Sequence, residues 1–223
     1  MARQAETRIR TEADLIAADD AVDRVTCGIS LACRETTRFQ AQGAHDPTPT
    51  PYFVLEKLFG YFSFDSRSHL LDVGCSTGRV LAHFLRGGFS GRATGVELDP
   101  ELAEVAQSWT ALYANLQVIQ GSVLDIGLSG FTDFYLFNPF DSSVLSKLIQ
   151  HIEEQVVQPV TVIHMSDNGE VWWYLGRPGW SEIASGTFQD FTNGRGYPVR
   201  IYDDPQHWTA WRFDPAQAEG HLT

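Results

Sequence analysis

The chain has 223 residues, 43% of them hydrophobic, and a formal net charge of −12 at pH 7. This composition supplies enough apolar side chains for a packed core and excludes a chain that is disordered throughout. The acidic balance disfavours a nucleic-acid partner, because binding to a phosphate backbone needs clustered basic side chains, and only Lys57 and Lys147 are lysines.

Residues 1–45 are mixed and polar, with apolar positions at loosely helical spacing. We predict an N-terminal helical extension, which is either a solvent-facing segment or a cap that closes over a ligand. Residues 46–223 are expected to form a single domain. Three prolines in residues 46–51 force an extended backbone. After them, Thr50 suits the N-cap of a helix whose first position is Pro51.

Short apolar segments then alternate with amphipathic helical patterns. Five segments predict strands: residues 70–73, 93–97, 116–120, 134–137 and 160–163. Two aromatic-rich segments further on, residues 181–188 and 207–213, predict a strand pair. We therefore predict an α/β, Rossmann-like fold with a doubly wound, mostly parallel sheet of about seven strands, the last of them antiparallel.

A glycine-bearing turn follows the first predicted strand, with the sequence Asp72-Val73-Gly74-Cys75-Ser76-Thr77-Gly78. Its glycines allow a tight turn, and the helix after it directs free N–H groups and a positive dipole end at a ligand. The charge of Asp72 suits an ammonium group better than a pyrophosphate. Ser76 and Arg79 stand where the dinucleotide fingerprint needs glycine, which disfavours a nicotinamide cofactor.

An acidic residue closes the second predicted strand. Glu97 lies 19 residues beyond Gly78, and a carboxylate at that place can accept hydrogen bonds from both hydroxyls of a ribose. The alternative is an exposed loop acid without a ligand. The turn and the acid together favour an aminoacyl-nucleoside as the ligand.

These residues resemble the class I S-adenosylmethionine-dependent methyltransferases over about residues 50–165. Residues 71–78 are similar to the first motif of that superfamily, Asp-x-Gly-x-Gly-x-Gly, with Ser76 at the middle glycine. Residues 95–99 are similar to the second motif. The resemblance implies S-adenosyl-L-methionine as the cofactor and methyl transfer as the reaction.

By position, the resemblance implies that Asp72 borders the amino-acid part of the cofactor, Glu97 holds the ribose and Leu98 lies against the adenine. Ser122 stands where many members carry an Asp that meets the adenine amino group. Thr50 is either near the polar end of the cofactor or only a helix cap. The predicted cofactor-binding residues are Asp72, Gly74, Cys75, Ser76, Gly78, Glu97, Leu98, Ser122, Val123, Asn138 and Thr50.

Candidate catalytic residues follow the fourth and fifth strands, where ligands bind in open α/β folds. Residues 138–140, Asn-Pro-Phe, resemble the Asn-Pro-Pro-Tyr motif of amino-methylating members, which implies that Asn138 and a backbone carbonyl grip a planar amine. The alternative is that Asn138 caps the turn. Asp141 and His164 are candidate general bases, with an N-cap and a structural role as their respective alternatives.

We therefore predict an enzyme that transfers a methyl group from S-adenosylmethionine to an N or O nucleophile of a small molecule or a protein. Two alternatives stay open: a non-catalytic S-adenosylmethionine-binding subunit or regulator, and a nicotinamide-dependent oxidoreductase. The three cysteines include no Cys-x-x-Cys pair, so we expect reduced thiols and no metal. The sequence has no apolar run long enough for a membrane-spanning helix and no visible secretory signal. We therefore expect a cytoplasmic protein with no membrane partner.

Overall fold

The computed structural model describes residues 9–33, 36–192, 196 and 198–219. Its helices are α1 (Glu12–Cys27), α2 (Tyr52–Phe59), α3 (Arg79–Arg86), α4 (Pro100–Thr110), α5 (Ser142–Gln155) and α6 (Pro215–Glu219). Its strands are β1 (His69–Val73), β2 (Arg92–Glu97), β3 (Leu116–Gln120), β4 (Asp133–Phe137), β5 (Val160–Met165), β6 (Trp180–Phe188), β7 (Asp190–Thr192), β8 (Pro198–Arg200) and β9 (Gln206–Phe213).

Seven of these strands form one sheet in the order β3-β2-β1-β4-β5-β9-β6, and β7 pairs with β8 as a separate ribbon. The first five strands in this order, β3, β2, β1, β4 and β5, are parallel to one another. β9 lies antiparallel to both β5 and β6. The predicted α/β, Rossmann-like fold, with a mostly parallel sheet and an antiparallel last strand, is confirmed.

The sheet divides the core into two layers because successive residues of a strand point to opposite faces. In β1, Leu70 packs into one layer and Leu71 into the other. Apolar residues of α2, α3 and α4 fill the first layer, and those of α5 fill the second. Helices therefore cover both faces, as a parallel sheet requires.

Helix boundaries follow local capping chemistry at two places. Thr11 and Asp14 form a reciprocal capping box at the start of α1. Asp99 accepts a hydrogen bond from the Glu101 N–H at the start of α4, where Pro100 occupies the first position. These caps fix where both helices begin.

The predicted cap of α2 is wrong. The residue before this helix is Pro51, and no side chain caps it. The hydroxyl of Thr50 is buried and shares a hydrogen bond of 2.8 Å with the Tyr135 hydroxyl of β4. A tertiary contact across 85 residues therefore replaces the local cap.

The predicted N-terminal helical extension contains α1, whereas residues 1–8, 34 and 35 of it lie outside the described residues. Its division from the rest at residue 45 stays a prediction. Leu31 is fully buried against the remainder of the chain. No helix in the described ranges is long and apolar enough to cross a membrane.

Candidate functional site

A cavity of about 170 Å³ lies at the carboxyl edge of the sheet, with room for on the order of ten water molecules. One wall consists of residues at the ends of β1, β2 and β4, in the loops after β1 to β4, and in the first turns of α3, α4 and α5. The other wall belongs to residues 36–50, which we call the strap. Parallel strands bring their carboxyl ends to one edge, so the sheet itself assembles the first wall.

Asp72 of β1 supplies a buried carboxyl group to this cavity. Its side chain lines the cavity and the residue is only 2% exposed. Within the described part of the chain, Asp72 Oδ2 has no hydrogen-bond partner. Burial, and then the nearby charge of Glu97, raise the pKa of Asp72 well above its usual value. A ligand that brings a donor or a positive charge to this oxygen would satisfy it.

Glu97, at the end of β2, closes the glycine-bearing turn onto the neighbouring strand. Its Oε2 accepts from the Ser76 N–H at 2.7 Å, and its Oε1 accepts from the Asp99 N–H at 2.8 Å. Burial raises the pKa of Glu97, although these backbone donors act in the opposite direction. The residue is 8% exposed and lines the cavity, so the alternative of an exposed loop acid is wrong.

The glycines of the turn are explained by packing within the chain. Gly74 and Gly78 have φ of 74° and 96°. A Cβ at Gly74 would lie 2.8 Å from the Pro139 side chain, and one at Gly78 would lie 2.9 Å from the Trp109 ring. Gly74 lines the cavity and Gly78 does not.

The middle of the turn places a second unsatisfied oxygen at the cavity. Ser76 has φ of 49°, in the left-handed region. Its hydroxyl is buried and, in the residues that the structure covers, has no partner. The preceding residue, Cys75, also lines the cavity, and burial raises the pKa of its thiol well above the usual value. Cys75 is therefore a thiol and not a reactive thiolate.

Apolar and hydroxyl groups complete the sheet wall. The predicted residues Leu98, Ser122 and Val123 all line the cavity. The Ser122 hydroxyl accepts from the Leu124 N–H at 3.2 Å and begins a short 3₁₀ helix. Ser122 therefore has a local capping role in addition to its place at the cavity.

The strap is tied to the loop after β4 by a group of contacts that the sequence did not reveal. Ala44 forms an antiparallel bridge with Phe140. The His45 N–H donates to the Pro139 carbonyl at 3.0 Å. In the His45 ring, Nδ1 lies 2.9 Å from the Asn138 carbonyl oxygen and Nε2 lies 3.0 Å from Asp141 Oδ1. These contacts hold the strap across the mouth of the cavity.

This arrangement changes the predicted role of Asn138. The carbonyl oxygens of Asn138 and Pro139 each accept one hydrogen bond from His45, which leaves a second lone pair on each. Asn138 itself has φ of 41° and is absent from the cavity lining, although Phe137 and Pro139 on either side belong to it. The structure therefore does not bring the Asn138 side chain to the site.

The two candidate bases also lie away from the cavity lining. Asp141 precedes α5, but its side chain makes no capping hydrogen bond and pairs with His45 instead. His164 is 1% exposed, and its Nδ1 lies 3.2 Å from the Tyr174 hydroxyl. Burial lowers the pKa of His164 to about 4, so the ring is neutral at pH 7.

A buried ion pair connects α1 to the start of α3. Arg79 Nη2 lies 2.8 Å from Asp23 Oδ2, and Arg79 Nη1 lies 3.6 Å from Asp19 Oδ2. The Tyr52 hydroxyl donates to Asp23 Oδ1 at 2.8 Å. Sequence reasoning missed this network. The available signal was the i, i+4 spacing of Asp19 and Asp23, which places both carboxylates on one helix face.

A family model described as a methyltransferase domain matches residues 70–162, from β1 into β5. No curated protein matches the chain. Structures with a similar fold include an RNA methyltransferase from Salinibacter ruber in complex with S-adenosyl-L-homocysteine, with a TM-score of 0.52 and 20% identity. That match covers 75% of this chain and 93% of the other.

Two further structures resemble the chain. A putative RNA methyltransferase from Pyrococcus horikoshii has a TM-score of 0.55 and 16% identity, covering 91% of this chain and 95% of its own. A putative methyltransferase from Escherichia coli has a TM-score of 0.56 and 15% identity, covering 76% of this chain and 89% of its own. At these identities the likeness shows a common fold.

Proposed function

We propose that the chain binds S-adenosylmethionine at the cavity and transfers its methyl group to an N or O nucleophile, because residues 70–162 match a family model described as a methyltransferase domain. The acceptor that we propose is a small molecule or a protein. The observation that carries the proposal is a pair of buried oxygens, Asp72 Oδ2 and Ser76 Oγ, that have no hydrogen-bond partner among the described residues. Both belong to residues that line one cavity.

The residues at the cavity fit the proposed cofactor. The free carboxylate oxygen of Asp72 suits an ammonium group. Each oxygen of Glu97 accepts one backbone N–H and keeps a lone pair that can accept from a ribose hydroxyl. Leu98 and Val123 offer apolar surface to an adenine. A bound S-adenosylmethionine would supply an activated methyl group on its sulfonium sulfur, and transfer of that group to the acceptor would leave S-adenosylhomocysteine and one proton.

The residues of the chain align the reactants and exclude water, effects that lower the barrier without a covalent intermediate. The strap covers the cavity, and the hydrogen bond between Thr50 and Tyr135 joins it to the sheet. Asp141 and His164 do not line the cavity. We therefore propose alignment as the main contribution and assign no general base.

The charge of the chain guides the choice of acceptor. Two of the similar structures are described as RNA methyltransferases. The net charge of −12 would oppose the approach of a polyanion. We therefore propose a small molecule or a protein in preference to a nucleic acid.

A Glu97→Ala variant tests the cofactor assignment. Loss of a charge-assisted hydrogen bond should weaken S-adenosylmethionine binding by about 1.5–3 kcal/mol, or roughly 10- to 150-fold in Kd. Isothermal titration calorimetry measures this change. Glu104→Ala, an exposed position on α4, is the matched control and should leave the Kd unchanged. An equal Kd for both variants would show that Glu97 does not hold the ribose.

A radiolabelled methyl donor, incubated with the chain and cell extracts, tests turnover. We expect label to appear on an acceptor from at least one extract. Binding of S-adenosylmethionine without transfer in several extracts would favour the non-catalytic subunit instead. Binding of NADH alone would contradict the methyltransferase assignment.

A further inference from the structure

A second cavity, of about 310 Å³, adjoins the first, with room for on the order of twenty water molecules. Thr48, Pro49 and Arg79 line both cavities, so these residues form the partition between them. The other walls come from α1 and from residues 200–203 after the β7–β8 ribbon. A cavity of this size accommodates a small organic molecule.

The second cavity combines apolar walls with an excess of carboxylates. Its apolar lining includes Leu15, Ile16, Pro49, Pro51 and Ile201. Its acidic lining consists of Glu12, Asp19 and Asp203. No ion pair of Glu12 or Asp203 occurs among the residues that the structure describes.

The two cations that line the same cavity are already engaged. Arg79 makes its closest ion pair with Asp23, outside the lining, and only a longer contact of 3.6 Å with Asp19. Arg200 pairs with Asp190 at 3.1 Å. Asp19 is 6% exposed, and its carboxylate has the 3.6 Å contact with Arg79 and a hydrogen bond of 3.4 Å from the Tyr52 N–H. A ligand cation would compensate this charge.

An unsatisfied hydroxyl lines the second cavity as well. The Tyr202 hydroxyl is buried and, over the ranges described, has no hydrogen-bond partner. Burial raises the pKa of this phenol, so it stays protonated. A phenol can donate to a neutral amine and can accept from an ammonium group.

We propose that the second cavity binds a small aliphatic amine, with Asp19 as its counter-ion and the Tyr202 hydroxyl as its hydrogen-bond partner. This site is separate from the cofactor cavity, because Thr48, Pro49 and Arg79 stand between the two.

Titration calorimetry of the full chain, saturated with S-adenosylhomocysteine, tests this proposal with three probes of similar shape. These are 2-phenylethylamine, 2-phenylethanol and phenylacetate, which are cationic, neutral and anionic at pH 7. We expect the amine to bind about ten-fold more tightly than the alcohol, and phenylacetate to bind least, because the amine alone gains a charge-assisted hydrogen bond. Equal binding of amine and alcohol would overturn the proposal.

Substitutions in the lining test whether the amine binds in the second cavity. Asp19→Asn should weaken amine binding about ten-fold, whereas Asp20→Asn, the adjacent residue of α1 outside the cavity lining, should leave it unchanged. Tyr202→Phe should weaken binding by a smaller factor. Ile16→Trp places a large ring in the cavity from a half-exposed position, and it should abolish amine binding. This variant tests the amine site even if Asp19→Asn does not fold. Retention of full amine affinity in both Tyr202→Phe and Ile16→Trp would overturn the proposal.

The failure of this inference is distinguishable from failure of the proposed function. S-adenosylhomocysteine binding without amine binding would overturn the amine site and leave the methyltransferase assignment standing. Amine binding without S-adenosylhomocysteine binding would support the site and contradict the cofactor assignment.

Discussion

The two walls of the cofactor cavity are held in different ways. In the sheet wall, Asp72 and Glu97 lie on adjacent hydrogen-bonded strands, and Glu97 is fixed by two backbone N–H groups. The middle of the strap wall is held by a bridge between Ala44 and Phe140 and by the half-exposed His45, whose ring partners lie 93 and 96 residues away along the chain. The sheet wall is therefore rigid by construction, whereas the strap wall rests on a few polar contacts that can open locally.

The largest effect on stability should come from breaking the buried ion pair between α1 and the start of α3. Asp23→Asn leaves the Arg79 guanidinium buried without its closest anionic partner. We expect the free energy of unfolding to fall by about 3–5 kcal/mol. Urea denaturation monitored by circular dichroism measures this change.

Arg38→Ala is the control for that experiment, because Arg38 also ties the N-terminal region to the sheet, through the exposed pairs with Asp99 and Glu101. It should cost about 0–1 kcal/mol. Equal losses in the two variants would show that burial does not distinguish these ion pairs.

A smaller loss should follow from adding a side chain inside the sheet wall. Gly78→Ala places a Cβ 2.9 Å from Trp109 at φ of 96°. Backbone strain and overpacking together should lower the free energy of unfolding by about 2–4 kcal/mol. Gly127→Ala meets nothing within 4 Å and should be close to neutral. If thermal denaturation gave the same midpoint for both variants, the packing account of Gly78 would be wrong.

The smallest effect on stability should come from the strap. His45→Ala removes both ring contacts of a half-exposed side chain, which should cost about 1 kcal/mol or less. Because the strap covers the cavity, stopped-flow release of S-adenosylhomocysteine should become about five-fold faster. His151→Ala, on α5 and away from both cavities, should not change the release rate. An unchanged rate in His45→Ala would mean that the strap does not gate the ligand.

The contrast between the sheet wall and the strap wall also explains which parts of the site could be predicted from the sequence. The strands around Asp72 and Glu97 carry apolar runs and a turn with local signatures, so both the fold and this wall of the cavity followed from residues close in the chain. His45 gave no such signal, because its partners in the loop after β4 become neighbours only when the chain has folded. Thr50 was assigned a local cap for the same reason, whereas it bonds to Tyr135.

For the glycine-bearing turn, the sequence showed where glycine is needed but did not show which neighbour requires it. Its glycines indicated a backbone that approaches a ligand, and the structure gives Gly78 a steric reason in Trp109 of α4. A sequence reveals that a position must lack a side chain, but only the packed structure reveals which neighbour demands it. Arg79 is similar, since its pairing with Asp23 requires the position of α1 over α3.

The place of β9 in the sheet has a consequence for the order of folding. β9 lies between β5 and β6. In the described sheet, β6 is therefore the edge strand, and β9 is its one neighbour. During synthesis from the N-terminus, the five parallel strands are complete while the outer edge of β5 is still uncovered. That edge belongs to a largely apolar strand, and such an edge pairs readily with another chain. A nascent or truncated chain that lacks β9 is therefore expected to aggregate more readily than a chain in which β9 covers this edge.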